Sequence, residues 1–149
     1  NEMGWQPALE WLCEGFSKRA QLPVEYKNSG PAERLVPSIE LAVYRVVQEA
    51  LTNVLRHANA SQVKVSSNLN STKLKITIKD NGQGFDVYAL RNTSKPDVGL
   101  GLLSMQERID INGGQLQIES KPGKGTSVVA SFPVLFRSEQ HDTHIDPVG

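Results

Sequence analysis

The sequence predicts a two-layer α/β sandwich, a sheet covered on one face by helices, and three observations carry that prediction. From Pro37 to Ala58, PSIELAVYRVVQEALTNVLRHA, apolar residues recur at three- and four-residue intervals: Ile39, Val43, Val46, Val47, Ala50, Leu51, Val54 and Leu55. That is the pattern of a long one-sided helix. Two pairs of alternating segments, Gln62 to Leu69 with Lys73 to Asp80 and Gly114 to Ser120 with Gly125 to Pro133, read as hairpins. Each hairpin has one apolar and one polar face, so a sheet built from them packs helices on one side and meets water on the other.

The elements follow in order. Trp5, Ala8, Leu9, Trp11, Leu12 and Phe16, with Pro7 near the front, predict a helix over residues 5–20. Gln21 to Lys27 alternates as a short strand, and Asn28-Ser29-Gly30-Pro31 breaks the chain before the long helix. In the first hairpin Val63 and Val65 alternate with Lys64 and Ser66, and Leu74, Ile76 and Ile78 with Lys75, Thr77 and Lys79, around Asn70-Ser71. Asp80 to Pro96 is polar and glycine-bearing, which predicts a loop with at most one helical turn near Val87 to Leu90. Gly99 to Asn112 reads as a third helix, with Leu102, Met105 and Ile109 on one side and Gly113-Gly114 as its stop. In the closing hairpin Leu116 and Ile118 face the same way as Val128, Ala130 and Phe132. A single domain over residues 1–136 is expected, followed by a mobile polar tail over 137–149 that carries His141 and His144.

Composition narrows the function. Sixteen Lys+Arg balance sixteen Asp+Glu in 149 residues, so bulk charge favours neither nucleic acid nor an anionic membrane surface. No apolar run approaches the ~18 residues of a membrane span. Cys13 is the sole cysteine, which excludes an internal disulfide and a cysteine-based zinc cluster and points to a reducing compartment. The N-terminus has no signal-peptide pattern, and a cytoplasmic location is expected.

Local constellations carry the chemistry. Arg45, Glu49, Asn53 and His57 lie four residues apart and line one polar stripe of the long helix. Taken alone, this stripe fits a solvated face with an Arg45/Glu49 ion pair. The sharper reading is a metal and phosphate site, with the Asn53 carbonyl oxygen on Mg²⁺, Glu49 holding a water of its shell, and Arg56 and His57 near phosphate oxygens. Asp80-Asn81-Gly82-Gln83-Gly84-Phe85 at a strand end is a plain turn on one reading. On the other, the Asp80 carboxylate accepts a hydrogen bond from an exocyclic amine, while Gly82 and Gly84 let a flat heterocycle approach the backbone. Gly99-Leu100-Gly101-Leu102, opening a helix, is either a flexible entry or a phosphate cradle of backbone N–H groups. It matches neither the Walker pattern nor a dinucleotide fingerprint. Gly123-Lys124-Gly125-Thr126, a turn into the last strand, is either a plain hairpin turn followed by a β-favouring threonine or one whose threonine hydroxyl supports the Asp80 carboxylate.

Together these four constellations, in this order and context, resemble the GHKL ATPase superfamily, and most closely the catalytic ATP-binding domain of sensor histidine kinases. VYRVVQEALTNVLRHA is similar to the N box, DNGQGF to the G1 box, GLGLLSM to the G2 box and GKGTSVVASFPV to the closing segment. QEALTNVLRHA and the short stretch between G1 and G2 resemble the subfamily that partners LuxR/NarL-type response regulators. The resemblance covers roughly Ala8 to Val134.

The resemblance implies a Bergerat fold, a mixed and mostly antiparallel sheet against three helices, that binds ATP with Mg²⁺ under a lid spanning Phe85 to Val98. It implies Asn53 as Mg²⁺ ligand and Asp80 as the reader of the adenine amino group, helped by Gly82, Gly84 and Thr126. Gly99, Leu100, Gly101 and Leu102 would line the phosphates, with Arg56 or His57 approaching from the N box. Glu49 and Asn53 are the catalytic candidates: Glu49 stands where a gyrase-type ATPase carries its water-activating carboxylate, and is either such a base or, since water is not a kinase's acceptor, a group that tunes Mg²⁺. The implied reaction supplies the γ-phosphoryl group to a histidine on a dimerisation domain of a homodimeric kinase, for relay to a response-regulator aspartate. No phospho-accepting histidine motif stands ahead of Trp5, so the chain is expected to be the excised catalytic part and not to autophosphorylate alone. An anti-sigma-type serine kinase and a non-catalytic interaction module that keeps the fold are the alternatives.

Overall fold

In the computed structural model, residues 4–85 and 96–134 are described, those of 96–100 by backbone alone. The elements are α1 (Trp5–Ala20), β1 (Val24–Ser29), α2 (Pro37–Asn53) continued by a widened π turn (Val54–Ala58), β2 (Val63–Leu69), β3 (Lys73–Asp80), α3 (Pro96–Ile111), β4 (Gln115–Ser120) and β5 (Thr126–Pro133). Five strands form one sheet in the order β1-β2-β3-β5-β4. Strand β1 runs parallel to β2, and the other pairings are antiparallel. The expected mixed sheet with three helices is what the described residues form.

Alternation sets the two faces. Along β2, Val63, Val65 and Leu69 are buried between exposed Lys64, Ser66 and Asn68, and β3 alternates likewise through Leu74, Ile76 and Ile78. Against that face pack Leu9, Leu12 and Phe16 of α1, Val43, Val46, Val47 and Leu51 of α2, and Met105 and Ile109 of α3. Leu116 stands opposite Ala130 and Ile118 opposite Val128, as the closing hairpin predicts. Asp80 occupies the last core-side position of β3, so the strand's own period carries a carboxylate to the buried layer.

Helix α2 begins at Pro37, where a missing N–H costs nothing. Val36 offers no side-chain cap, and Glu40 of the first turn accepts the Leu35 N–H at 2.9 Å and a two-pronged bond from Arg34 Nε and Nη2 at 3.0 and 3.1 Å. The negative group thereby sits at the positive end of the helix. Helix α1 stops on Gln21 in the left-handed conformation, whose N–H returns to the Ser17 carbonyl.

Two boundaries differ from the sequence reading in ways that shape the site. The long helix is α-helical only to Asn53, and Val54–Ala58 opens into a π turn that ends on left-handed Asn59. Helix α3 starts at Pro96 rather than Gly99, because proline serves as a helix's first residue as readily as it breaks one. The strand expected from Gln21 runs later, Val24–Ser29, held by its parallel register with β2. The loop and helical turn read over residues 86–95, and the tail with His141 and His144, lie outside the described residues.

Candidate functional site

A narrow cleft, open at its mouth, lies between α2 with its π turn, the end of β3, the start of β5 and α3. Its walls are mostly apolar: Ala50, Val54, Ala58, Ile78, Phe85, Leu102 and Val128. Its polar groups are Asn53, His57, Asp80 and Thr126, with Gly84 at the rim. An apolar slot with a few converging polar groups is the usual form of a small-molecule site.

Asp80 is 6% exposed. Its Oδ1 accepts the Gly82 N–H at 2.8 Å. Burial pushes the Asp80 carboxyl above its ordinary value, and backbone N–H groups of Gly82 and Thr126 pull it back only in part. Thr126 stands directly across the ladder from Asp80. Its hydroxyl, expected to support the carboxylate, instead pairs with Ser120 Oγ at 2.8 Å, and the support comes from the threonine's main chain.

The turn after Asp80 is tied down on both sides. Asn81 Oδ1 accepts from the N–H groups of Ser61 and Gln62 at 2.9 and 3.0 Å. Gly82 is pressed so close to the π turn that a β-carbon there would lie 2.2 Å from the Ala58 carbonyl oxygen. At Gly84, φ is +66° and a β-carbon would lie 2.1 Å from the Lys121 carbonyl oxygen. Gly84→Ala is therefore expected to cost about 2 kcal/mol or more, from left-handed strain and a backbone clash together. Chemical denaturation should show that loss, and an unchanged midpoint would refute the packing argument.

On the helical side, Glu49 and Asn53 converge. A β-carbon built on Gly101 would lie 3.0 Å from Glu49 Oε2 and 3.3 Å from Asn53 Oδ1, so two oxygen ligands face one bare stretch of α3. A carboxylate and an amide oxygen meeting at a place only glycine leaves open is a donor set suited to a hydrated Mg²⁺. Arg45, the first residue of the polar stripe, donates to Gln48 Oε1 at 3.1 Å instead of completing an ion pair with Glu49. His57 lines the cleft, and its Nε2 is buried with no hydrogen-bond partner among the described residues.

Of the residues singled out from sequence, the fold thus brings Asn53, His57, Asp80, Gly84, Leu102 and Thr126 to one cleft, with Glu49, Gly82 and Gly101 beside it. Arg56 is exposed and lies outside the cleft walls. Because α3 starts at Pro96, Gly99 and Leu100 belong to its opening turn, and Gly101 and Leu102 lie further in. By the i→i−4 pattern the N–H groups of Gly99 to Leu102 are spent within the helix; Pro96 has none, so within α3 only those of Asp97 and Val98 remain free. Ser120 was missed. Its Oγ accepts the Phe85 N–H at 2.9 Å and donates to the Gly125 carbonyl at 3.0 Å, fastening the loop to the closing turn. The available signal was its register position opposite Thr126 in the hairpin.

Residues 38–135 match the family model for the histidine kinase-, DNA gyrase B- and HSP90-like ATPases. The chain belongs to that ATPase family. It is 38% identical over 134 residues to the signal transduction histidine-protein kinase/phosphatase DegS of Brevibacillus brevis, covering 90% of this chain and 33% of that protein. It is 34% identical over 146 residues to the nitrate/nitrite sensor protein NarX of Escherichia coli K12, covering 96% of this chain and 23% of that protein. The chain thus spans about a third or less of these curated relatives. The histidine kinase domain of the Erythrobacter litoralis EL346 blue-light activated kinase shares the fold with a TM-score of 0.69 at 18% identity, over 89% of this chain and 61% of that one.

Proposed function

We propose that this domain binds ATP with Mg²⁺ and presents the γ-phosphoryl group to a histidine on the dimerisation domain of a homodimeric sensor kinase, for relay to a LuxR/NarL-type response regulator. The observation that carries the reading is Asp80: a carboxylate kept in the buried layer, facing an apolar slot, with Asn53 and His57 on the opposite wall. A buried acceptor of this kind is costly unless a ligand uses it, and the adenine 6-amino group is a donor of the right type. No direct contact with nucleic acid or membrane is part of the proposal, and no helix among the described residues is long and apolar enough to cross a membrane. A cytoplasmic location belongs to the same reading.

In this mechanism the chain positions and neutralises more than it reacts. Asp80 selects adenine over guanine, while Gly84 leaves the backbone bare beneath the ring. Asn53 and Glu49 would hold Mg²⁺, which supplies charge neutralisation on the phosphates. His57 offers a nitrogen to the phosphate end of the cleft, and the opening turn of α3, which holds Gly99 and Leu100, carries the positive end of the helix dipole and favours anions. The apolar walls keep water from competing for the phosphoryl group. None of the three histidines stands as the acceptor, so the chain alone is expected to bind nucleotide without labelling itself.

Isothermal titration with a non-hydrolysable ATP analogue, with and without Mg²⁺ and with GTP as control, tests the reading. Saturable, adenine-selective and Mg²⁺-sensitive binding is expected. Absence of binding up to millimolar nucleotide would overturn it.

A further inference from the structure

The π turn below the cleft is held largely by one exposed residue. Gln83 Nε2 donates to the His57 carbonyl at 2.5 Å, and the Gln83 N–H donates to the Ala58 carbonyl at 2.6 Å. The Gln83 carbonyl in turn accepts the Gly123 N–H at 2.5 Å, so the residue links the π turn to the closing hairpin. Carbonyls at a helix end have no partner within the helix, and a wide turn persists only where something outside supplies one. The glycines on either side serve close approach, Gly82 to Ala58 and Gly84 to Lys121, whereas position 83 needs a side chain. That side chain must end in a donor that reaches back to residue 57.

On the nucleotide-site reading above, we propose that Gln83 is a positioning residue. Its side-chain amide holds the π turn Val54–Ala58 and thereby sets the His57 imidazole against the phosphate end of the cleft. Two facts join here: the His57 carbonyl is the atom Gln83 grips, and the His57 Nε2 is the buried nitrogen left unpartnered. A turn relaxing to ordinary α geometry would shift the His57 ring within the cleft, whereas the Asp80 carboxylate keeps its own tie to the Gly82 N–H. The effect belongs to the phosphate end, not the adenine end.

Gln83→Met keeps length and removes the donor; Gln83→Lys changes the chain but keeps one. In nucleotide-free protein, amide hydrogen exchange across Val54–Ala58 is expected to quicken about 2–10-fold in Gln83→Met, the range of one net hydrogen bond, and to return towards wild type in Gln83→Lys. MgATP affinity of Gln83→Met should fall by a similar ~2–10-fold, through loss of the competent conformer, with adenosine affinity held within about twofold. Unchanged exchange, or equal losses for MgATP and adenosine, would overturn the proposal. If the wild type bound neither ligand, the nucleotide reading would fall with the His57 role, and the exchange comparison would still decide whether Gln83 holds the turn.

Discussion

Asp80→Asn is expected to weaken ATP binding by roughly 10–100-fold, with GTP binding little changed, in a domain that still folds. A hydrogen bond from a neutral amine to a buried carboxylate contributes about 1.5–3 kcal/mol, and each ~1.4 kcal/mol is a factor of ten in affinity. Asparagine preserves the shape at the end of β3 but can turn a donor toward the 6-amino group. Guanine presents a carbonyl there and has no such bond to lose. Stability should move the other way. Burial raises the Asp80 carboxyl in the folded state, so the native protein holds this proton more tightly than the unfolded chain. Between the ordinary carboxylate value of 3.8 and that raised value, stability attributable to Asp80 falls as pH rises, and at neutral pH the ionised side chain opposes folding. Thermal unfolding from pH 4 to pH 8 should therefore show Asp80→Asn gaining on the wild type as pH rises. Titration with ATP and GTP checks the other half, and an ATP affinity within threefold of wild type would remove Asp80 from the adenine site.

How much of this was legible in the sequence depends on how local each cause is. The β3 strand, Lys73–Asp80, appears with the bounds its alternation predicts, because period-two patterning on a half-buried sheet is decided residue by residue. The carboxylate's inward direction follows from the same count. The π turn was not legible: it depends on bonds from Gln83, which lies 26 residues from His57 in sequence. A helical periodicity running unbroken through Leu55 carries no sign of that distant donor. Pro96 misled for a different reason, since proline ends helices and begins them, and only the tertiary placement of α3 decides which. Ser120 and the Thr126 hydroxyl bond to each other across the last two strands, and a motif that names the threonine alone does not reveal its partner. The polar stripe on α2 held two open readings, and its residues part company in the fold. Glu49 and Asn53 turn toward α3, while Arg45 stays on the solvated face with Gln48.

That packing sets up the sharpest conflict between stability and binding in the chain. Gly101 lies inside α3, where glycine costs about 0.5–1 kcal/mol relative to alanine, so on helix propensity alone Gly101→Ala should stabilise the domain. The new β-carbon would meet Glu49 Oε2 at 3.0 Å and Asn53 Oδ1 at 3.3 Å, both at the ends of side chains able to swing aside. The fold therefore accommodates alanine, and the two oxygens give way. We expect Gly101→Ala to hold or raise the thermal midpoint while MgATP affinity drops by about tenfold or more, the loss of at least one charge-assisted contact. Binding measured without Mg²⁺ should change far less, because the adenine end is untouched. Asn53→Ala removes the amide oxygen directly, so it should reproduce the Mg²⁺-selective loss without a gain in stability. If Gly101→Ala bound MgATP like the wild type, Glu49 and Asn53 would be a packing contact between two helices and the metal would have to be held elsewhere. If both variants lost ATP equally with and without Mg²⁺, the glycine would serve the phosphates or the shape of the cleft instead of the ion.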